Sequence, residues 1–396
     1  MGTGHSDFER LTGSDRRLRG DWLIWTVLGL AAVTAVAIVL LWPRDQPEVS
    51  TAEELGLASG VVTAEVESAR DAACSFASDL SCHLVVFRLQ DGRDAGTLTS
   101  QEFEISPSAP RFEEGEQVVL NVIPDAEPRF RYQYADRDRR GVLWMLAAAF
   151  ALAVVGLGRL RGLAALAGLG ASVLIIVAFI APAILAGRNP VLVAAVGGSA
   201  IALLALYLAH GWRPLTHVAA IGTFASLALT LALSTGVVAL ARFSGFGTEE
   251  ALFLTFVEGV QIRGLILAGA VLGAIGALDD VTVTQASTVF ELRRLSPGTE
   301  ATDLFRSGLA VGRDHIASTV NTLLLAYAGA SLPLLLLFSL SELPLGFIAN
   351  SEVVAVEIFR TLVGSIGLVA SVPLTTWLAA RVSSRAGGVS GGSGSA

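Results

Sequence analysis

Residues 264–290 read GLILAGAVLGAIGALDDVTVTQASTVF, an apolar, glycine-rich run that carries two adjacent aspartates, Asp279 and Asp280, without a break in its helical pattern. The stretch before the pair, 264–278, holds no charge at all. A helix needs about 20 apolar residues to cross a bilayer, and a run of this kind reads as a segment for lipid rather than for water. A charged side chain at the centre of such a helix costs roughly 2.5–3.5 kcal/mol on insertion scales. The two aspartates must therefore face protein, water or an ion. Neighbouring helical residues project about 100° apart, so the pair cannot face one neighbour together.

The rest of the chain extends the same reading. It has 396 residues, 53% of them hydrophobic, and a mean hydropathy of +0.64. The net charge of -8 and the lack of any lysine give no basic surface for nucleic acid. Residues 1–21 form a polar cytoplasmic tail with Arg16, Arg17 and Arg19 just before a hydrophobic run. Residues 22–42 are long enough to span, lack a small-residue cleavage site and end at Leu41-Trp42-Pro43, so they read as a retained anchor rather than a cleaved signal peptide. Further spans are expected at 142–157, 163–185, 190–208, 218–240, 264–278 extending toward 290, 316–340 and 353–378, about eight helices with the anchor. The polytopic domain covers 141–386, and the Gly/Ser-rich residues 387–396 read as a cloning remnant. The segment 243–261, with Glu249, Glu250 and Glu258 among Phe, Leu and Val, suits a re-entrant or interfacial helix.

Residues 43–140 change character. Short alternating runs at 60–66, 83–89, 96–105 and 117–122, punctuated by Asp91-Gly92 and Glu114-Gly115, predict a β-rich domain of about five strands, with an OB-like barrel as its form. The only two cysteines, Cys74 and Cys82, lie here. In an oxidising compartment they are expected to bond, the alternative being two reduced thiols. Arginines concentrate in the connections that hold Arg159, Arg161, Arg213, Arg293, Arg294, Arg306 and Arg313 and in the tail with Arg381 and Arg385. By the positive-inside rule both termini are cytoplasmic and 43–140 is outside.

Three polar clusters lie within the spans. Asp280, Thr284, Ser287 and Glu291 share one helical stripe, with Gln285 beside it. They form a polar track or, alternatively, solubilise the helix end. Asp280 is expected to face the bundle and share a site with Ser318, Asn321 or Thr322, and with Thr361 or Ser365, while Asp279 faces another helix or a pore. Arg313, Asp314 and His315 open the next helix, either as a titrating group, since imidazole changes charge near neutrality, or as a juxtamembrane anchor pair. Glu357 and Arg360 sit three apart and suit a structural ion pair. Gly269, Gly273 and Gly276, and Gly364 with Gly367, allow close helix packing. His210 and His217 flank a short loop as a metal pair or as plain interface residues. No His-Glu-x-x-His, Walker loop, Gly-x-Ser-x-Gly or Cys/His metal spacing occurs, so no catalytic residue, metal site or cofactor is assigned.

The motifs at 278–285 (LDDVTVTQ), 312–318 (GRDHIAS), 321–323 (NTL), 326–330 (AYAGA) and 360–368 (RTLVGSIGL) resemble the YibE/F family of bacterial membrane proteins over most of the chain after residue 140. The resemblance implies a multi-pass protein of the bacterial plasma membrane and supplies topology rather than activity. Residues 276–283, with the ending Phe290-Glu291-Leu292-Arg293-Arg294, are also similar to the aspartate-bearing helix of SecD/SecF and RND-type permeases. That similarity implies proton-driven movement with Asp279 or Asp280 as the titrating group. The expected function is a secondary transporter or proton-motive-force-driven envelope machine in which Asp279, Asp280, Thr284, Gln285, Arg313, Asp314, His315, Ser318, Asn321 and Thr322 carry the coupling. The alternative is a non-transporting envelope scaffold, and a membrane enzyme is the poorer third reading. The partners expected are the lipid bilayer and a small solute, an ion or an envelope protein, with a homo-oligomer as a further option.

Overall fold

The computed structural model describes residues 21–44, 60–75, 79–124, 126–127, 130–257 and 259–386. The polar tail up to residue 20, Glu258 and the remnant at 387–396 lie outside them. The chain is mostly helical and divides into two compact units, Met1–Pro47 with Val154–Ala396, and Glu48–Ala153.

The smaller unit is a five-stranded antiparallel sheet: β1 (Gly60–Ala73), β2 (Ser81–Leu89), β3 (Leu98–Glu104), β4 (Gln117–Val122) and β5 (Tyr132–Arg137), in the order β3-β2-β1-β4-β5. Period-two alternation sends Val62, Ala64, Val66, Val85, Phe87, Leu89, Val118 and Leu120 to one buried face, closed by Phe112. β1 runs seven residues beyond the expected 60–66 because a bulge at Val66/Ser68 lets it continue past a polar stretch. β5 escaped the sequence reading: only its first residue is buried, so it lacks the apolar alternation that marks a strand. The two edge strands meet through Gln101 and through Phe103 of β3 packed edge-on against Tyr134 of β5. Gln101 of β3 donates from Nε2 to the Tyr132 carbonyl (2.6 Å) and accepts at Oε1 from the Tyr134 N–H (3.0 Å), which curls the sheet into a half-barrel. Cys74 and Cys82 are joined in a disulfide with Cα atoms 5.0 Å apart.

The larger unit is a helical bundle: α1 (Asp21–Leu41), α2 (Arg140–Ile175), a π turn (Ile176–Ile180), α3 (Ala181–Leu185), α4 (Pro190–His210), α5 (Pro214–Ala241), α6 (Glu249–Phe253), α7 (Ile262–Leu295), α8 (Ala301–Ala330), α9 (Leu332–Ser339), α10 (Leu345–Asn350) and α11 (Glu352–Ala386), the first part of α2 belonging to the smaller unit. Among the described residues six helices are long and apolar enough to cross a membrane, or seven if α8 and α9, bent by 67°, form one broken span. That is fewer than the eight expected, because 142–157 and 163–185 are one helical stretch of 46 residues, Arg140–Leu185. Arg159, inside the connection expected at 158–162, breaks it with φ 51°. The described residues of 243–261 form the short helix α6 and a single 3-10 turn, Leu254–Phe256, both too short to cross. α8 starts well before the expected 316, since the polar residues 301–315 are helical too, and it ends where Pro333 begins α9.

α7 is the central helix, packed by α4, α5, α8 and α11. The other spans expose large apolar side chains outward, such as Trp25, Leu157, Leu240 and Leu340.

Candidate functional site

The polar residues at the centre of the bundle form two facing stripes. On α5, Thr216, Thr223, Ser226, Thr230 and Ser234 are all fully buried, and their spacing of three, four and seven puts them on one face. On α11, Thr361, Ser365, Ser371, Thr375, Thr376 and Ser383 are buried. Two glycines bring these helices close: Gly222 lies under the Thr375 hydroxyl and Gly367 under the Thr230 hydroxyl. A serine or threonine in a helix satisfies its hydroxyl most simply by donating to the carbonyl of the preceding turn. Ser226, Thr230, Thr361, Ser371 and Thr376 do this. Thr216, Ser234, Ser365 and Thr375 do not, and their buried oxygens have no partner among the described residues.

Asp279 joins α7 to the α5 stripe. The Thr282 hydroxyl, one turn on, meets the Thr223 hydroxyl at 2.8 Å and lies 3.1 Å from the Asp279 carbonyl, to which it donates. The Asp279 carboxylate oxygen Oδ1 is buried without a partner among the described residues. A buried carboxylate oxygen left unpaired is rare and costly.

Asp280 does not occupy the bundle site expected for it. It is exposed, as are Ser287 and Glu291 of its stripe, and Thr284 is half-buried. The reason is rotation. Leu278, Val281, Gln285, Ala286 and Val289 are the residues of α7 that pack inward, and Asp280 points away from all of them. Ser318, Asn321 and Thr322, expected to share its site, are exposed on α8, and Glu291 turns back to pair with Arg294 at 2.5 Å. Arg313 and Asp314 are exposed too, while His315 is half-buried with Nε2 unpartnered.

Gln285 is buried but belongs to packing rather than to the Asp279 cluster. Its Nε2 donates to the Gly308 carbonyl at 2.6 Å, and its amide fills the space beside Gly308 and Gly312 of α8. Glu357 and Arg360 form an ion pair at 2.6 Å, with the guanidinium over Gly269. Tyr327 of α8 sets its hydroxyl on Gly273 in the same region. His217 is buried and bonds through Nδ1 to the Tyr207 hydroxyl (2.7 Å) beside Trp212, whereas His210 is exposed. The two histidines therefore do not come together as a pair of ligands. The sequence reading missed Thr223, Thr230 and Thr282. The signal was present in the seven-residue spacing of Thr216, Thr223 and Thr230 within an Ala/Leu helix.

A bundle of long apolar helices that exposes leucine and keeps two hydroxyl stripes inside has the make-up of a membrane protein. Residues 146–385 match the YibE/F-like protein family, which covers more than half of the chain, and the chain belongs to that family. No curated protein and no solved structure matches it. The similarity to SecD/SecF and RND-type permeases finds no support in these comparisons.

Proposed function

We propose that the protein is a secondary transporter or proton-motive-force-driven device of the cell envelope, with Asp279 as its coupling group. The observation that carries this reading is the unpartnered Oδ1 of Asp279, buried on the central helix beside the Thr223–Thr282 hydroxyl pair. A carboxyl group so placed can hold a proton or release it to a changing environment, which is what coupling requires. Asp280, on the outside of α7, takes no part in this reading. α1, the two halves of the helical stretch divided at Arg159, α4, α5, α7, the α8–α9 pair and α11 make eight crossings. The arginine distribution puts both termini in the cytoplasm and the β domain outside. The cyclic approach of β3 to β5 through Gln101 supports an OB-like form for that domain.

A second reading, a non-transporting scaffold, is favoured by the Gln285 interlock with Gly308 and Gly312, since a polar residue spent on holding two helices together needs no transport role. Reconstitution separates the two. Vesicles carrying the protein and a trapped pH dye are offered gradients from a panel of small solutes and ions. The transport reading expects at least one gradient to move protons in wild type and none to do so in Asp279→Asn. Proton movement that is unchanged by Asp279→Asn would exclude the coupling role.

A further inference from the structure

The outward face of α8 mixes side chains that suit lipid, the exposed Leu324 and Leu325, with groups that do not. Ala317, Ser318, Asn321, Thr322 and Gly329 are exposed along it, and Arg313 and Asp314 are exposed one turn before Ala317. Thr322 bonds back to the Ser318 carbonyl, but the Asn321 amide has no side-chain partner among the described residues. A lone amide facing hydrocarbon leaves two donors and an acceptor unsatisfied. Transmembrane helices resolve this by pairing small and amide-bearing faces across an interface.

We infer that this face of α8 packs against the same face of a second copy of the chain, which rests on the reading that α8 crosses the membrane. The occupant follows from self-complementarity. Two copies inserted in the same orientation are related by a two-fold axis along the membrane normal, so their α8 helices run parallel and each residue lies level with its twin. Asn321 suits such an axis because an amide both donates and accepts, and therefore pairs with itself. The small residues Ala317 and Ser318 on the preceding turn and Gly329 two turns beyond let the backbones approach. Arg313 and Asp314 sit about 12 Å back along the helix, eight residues at roughly 1.5 Å each. There, each guanidinium falls beside the other copy's carboxylate, giving two reciprocal ion pairs. Neither residue makes an ion pair in its own chain among the described residues.

Single cysteines test the contact in membrane vesicles with the full chain, since the two native cysteines are already bonded to each other. Under a mild oxidant, Ala317→Cys and Asn321→Cys yield a covalent dimer, and Leu204→Cys, exposed on the far helix α4, does not. Adding Asn321→Leu to Ala317→Cys lowers the dimer yield at least threefold. The proposal is overturned if the α8 cysteines give no more dimer than Leu204→Cys. Reaction with a water-soluble maleimide would then mark an aqueous cavity, and resistance to it would mark lipid. Alkaline carbonate extraction of the same vesicles tests membrane insertion separately, so a missing dimer in retained protein counts against the interface alone.

Discussion

The β domain and the helical bundle place polarity in opposite positions. In the β domain the buried cluster is apolar apart from the hydroxyls of Tyr132 and Tyr134, and the charged side chains pair at the surface: Arg88 with Glu67, Arg137 with Glu116, Arg140 with Asp138. In the bundle the outer surface is leucine, valine and tryptophan, while threonines, serines and a glutamine lie inside and Asp279 is half-buried with its Oδ1 enclosed. Water satisfies whatever a soluble domain leaves outside, so its polar groups need no buried network. A bundle with an apolar outside must satisfy every inward polar group internally. The places where it does not, Asp279 above all, are therefore its functional candidates.

Four changes sharpen this contrast. The largest effect belongs to the contact between α8 and the Gln285 amide. Gly312→Val would drive a side chain into Val372 and the Gln285 amide, and overpacking of this kind costs about 1–3 kcal/mol. A fall in the thermal midpoint of the purified protein is expected, and an unchanged midpoint would mean that α8 is held otherwise. In the β domain, replacing Cys74 and Cys82 with serine removes a short cross-link, with an expected loss of about 2 kcal/mol. Alkylation without reductant followed by mass spectrometry checks the bond first, and modification of both thiols in the native protein would refute it. Gln101→Ala removes the bridge between β3 and β5 and should cost about 1–2 kcal/mol through two lost hydrogen bonds, read as faster amide exchange in β5. The smallest effect is on pH. Hydrogen bonds from Arg140, Arg88 and Arg139 hold the carboxyls of Asp138 (at about 2), Glu67 and Asp136 below their ordinary values. Depressed carboxyls contribute stability that is fully present above the unfolded value, near 4, and lost as pH falls through the folded one. The β domain should therefore keep its circular dichroism from pH 8 to about 4 and weaken only toward pH 2.

Much of this architecture could be read from the sequence because its signals are local. Uninterrupted apolar runs found α1, α4, α5 and α11, and alternation found four of the five strands. What the sequence hid was rotational. The stripe Asp280–Thr284–Ser287–Glu291 is as regular as any buried stripe, and periodicity alone does not say whether a polar face looks in or out. Burial depends on the opposite set, Leu278, Val281, Gln285, Ala286 and Val289. That set turns this part of α7 toward α5, where Thr282 meets Thr223, a residue 59 positions earlier on another helix. The break at Arg159 was legible, since it falls in the connection expected at 158–162, but the near-continuous helical stretch around it was not.

The central claim is that the inner aspartate and not the outer one couples the protein to its driving ion. It is tested most directly by measuring proton movement in vesicles for Asp279→Asn and Asp280→Asn side by side, each shown to be folded and inserted. Asp279→Asn is expected to abolish the movement and Asp280→Asn to keep most of it. Loss in Asp280→Asn with retention in Asp279→Asn would contradict the claim.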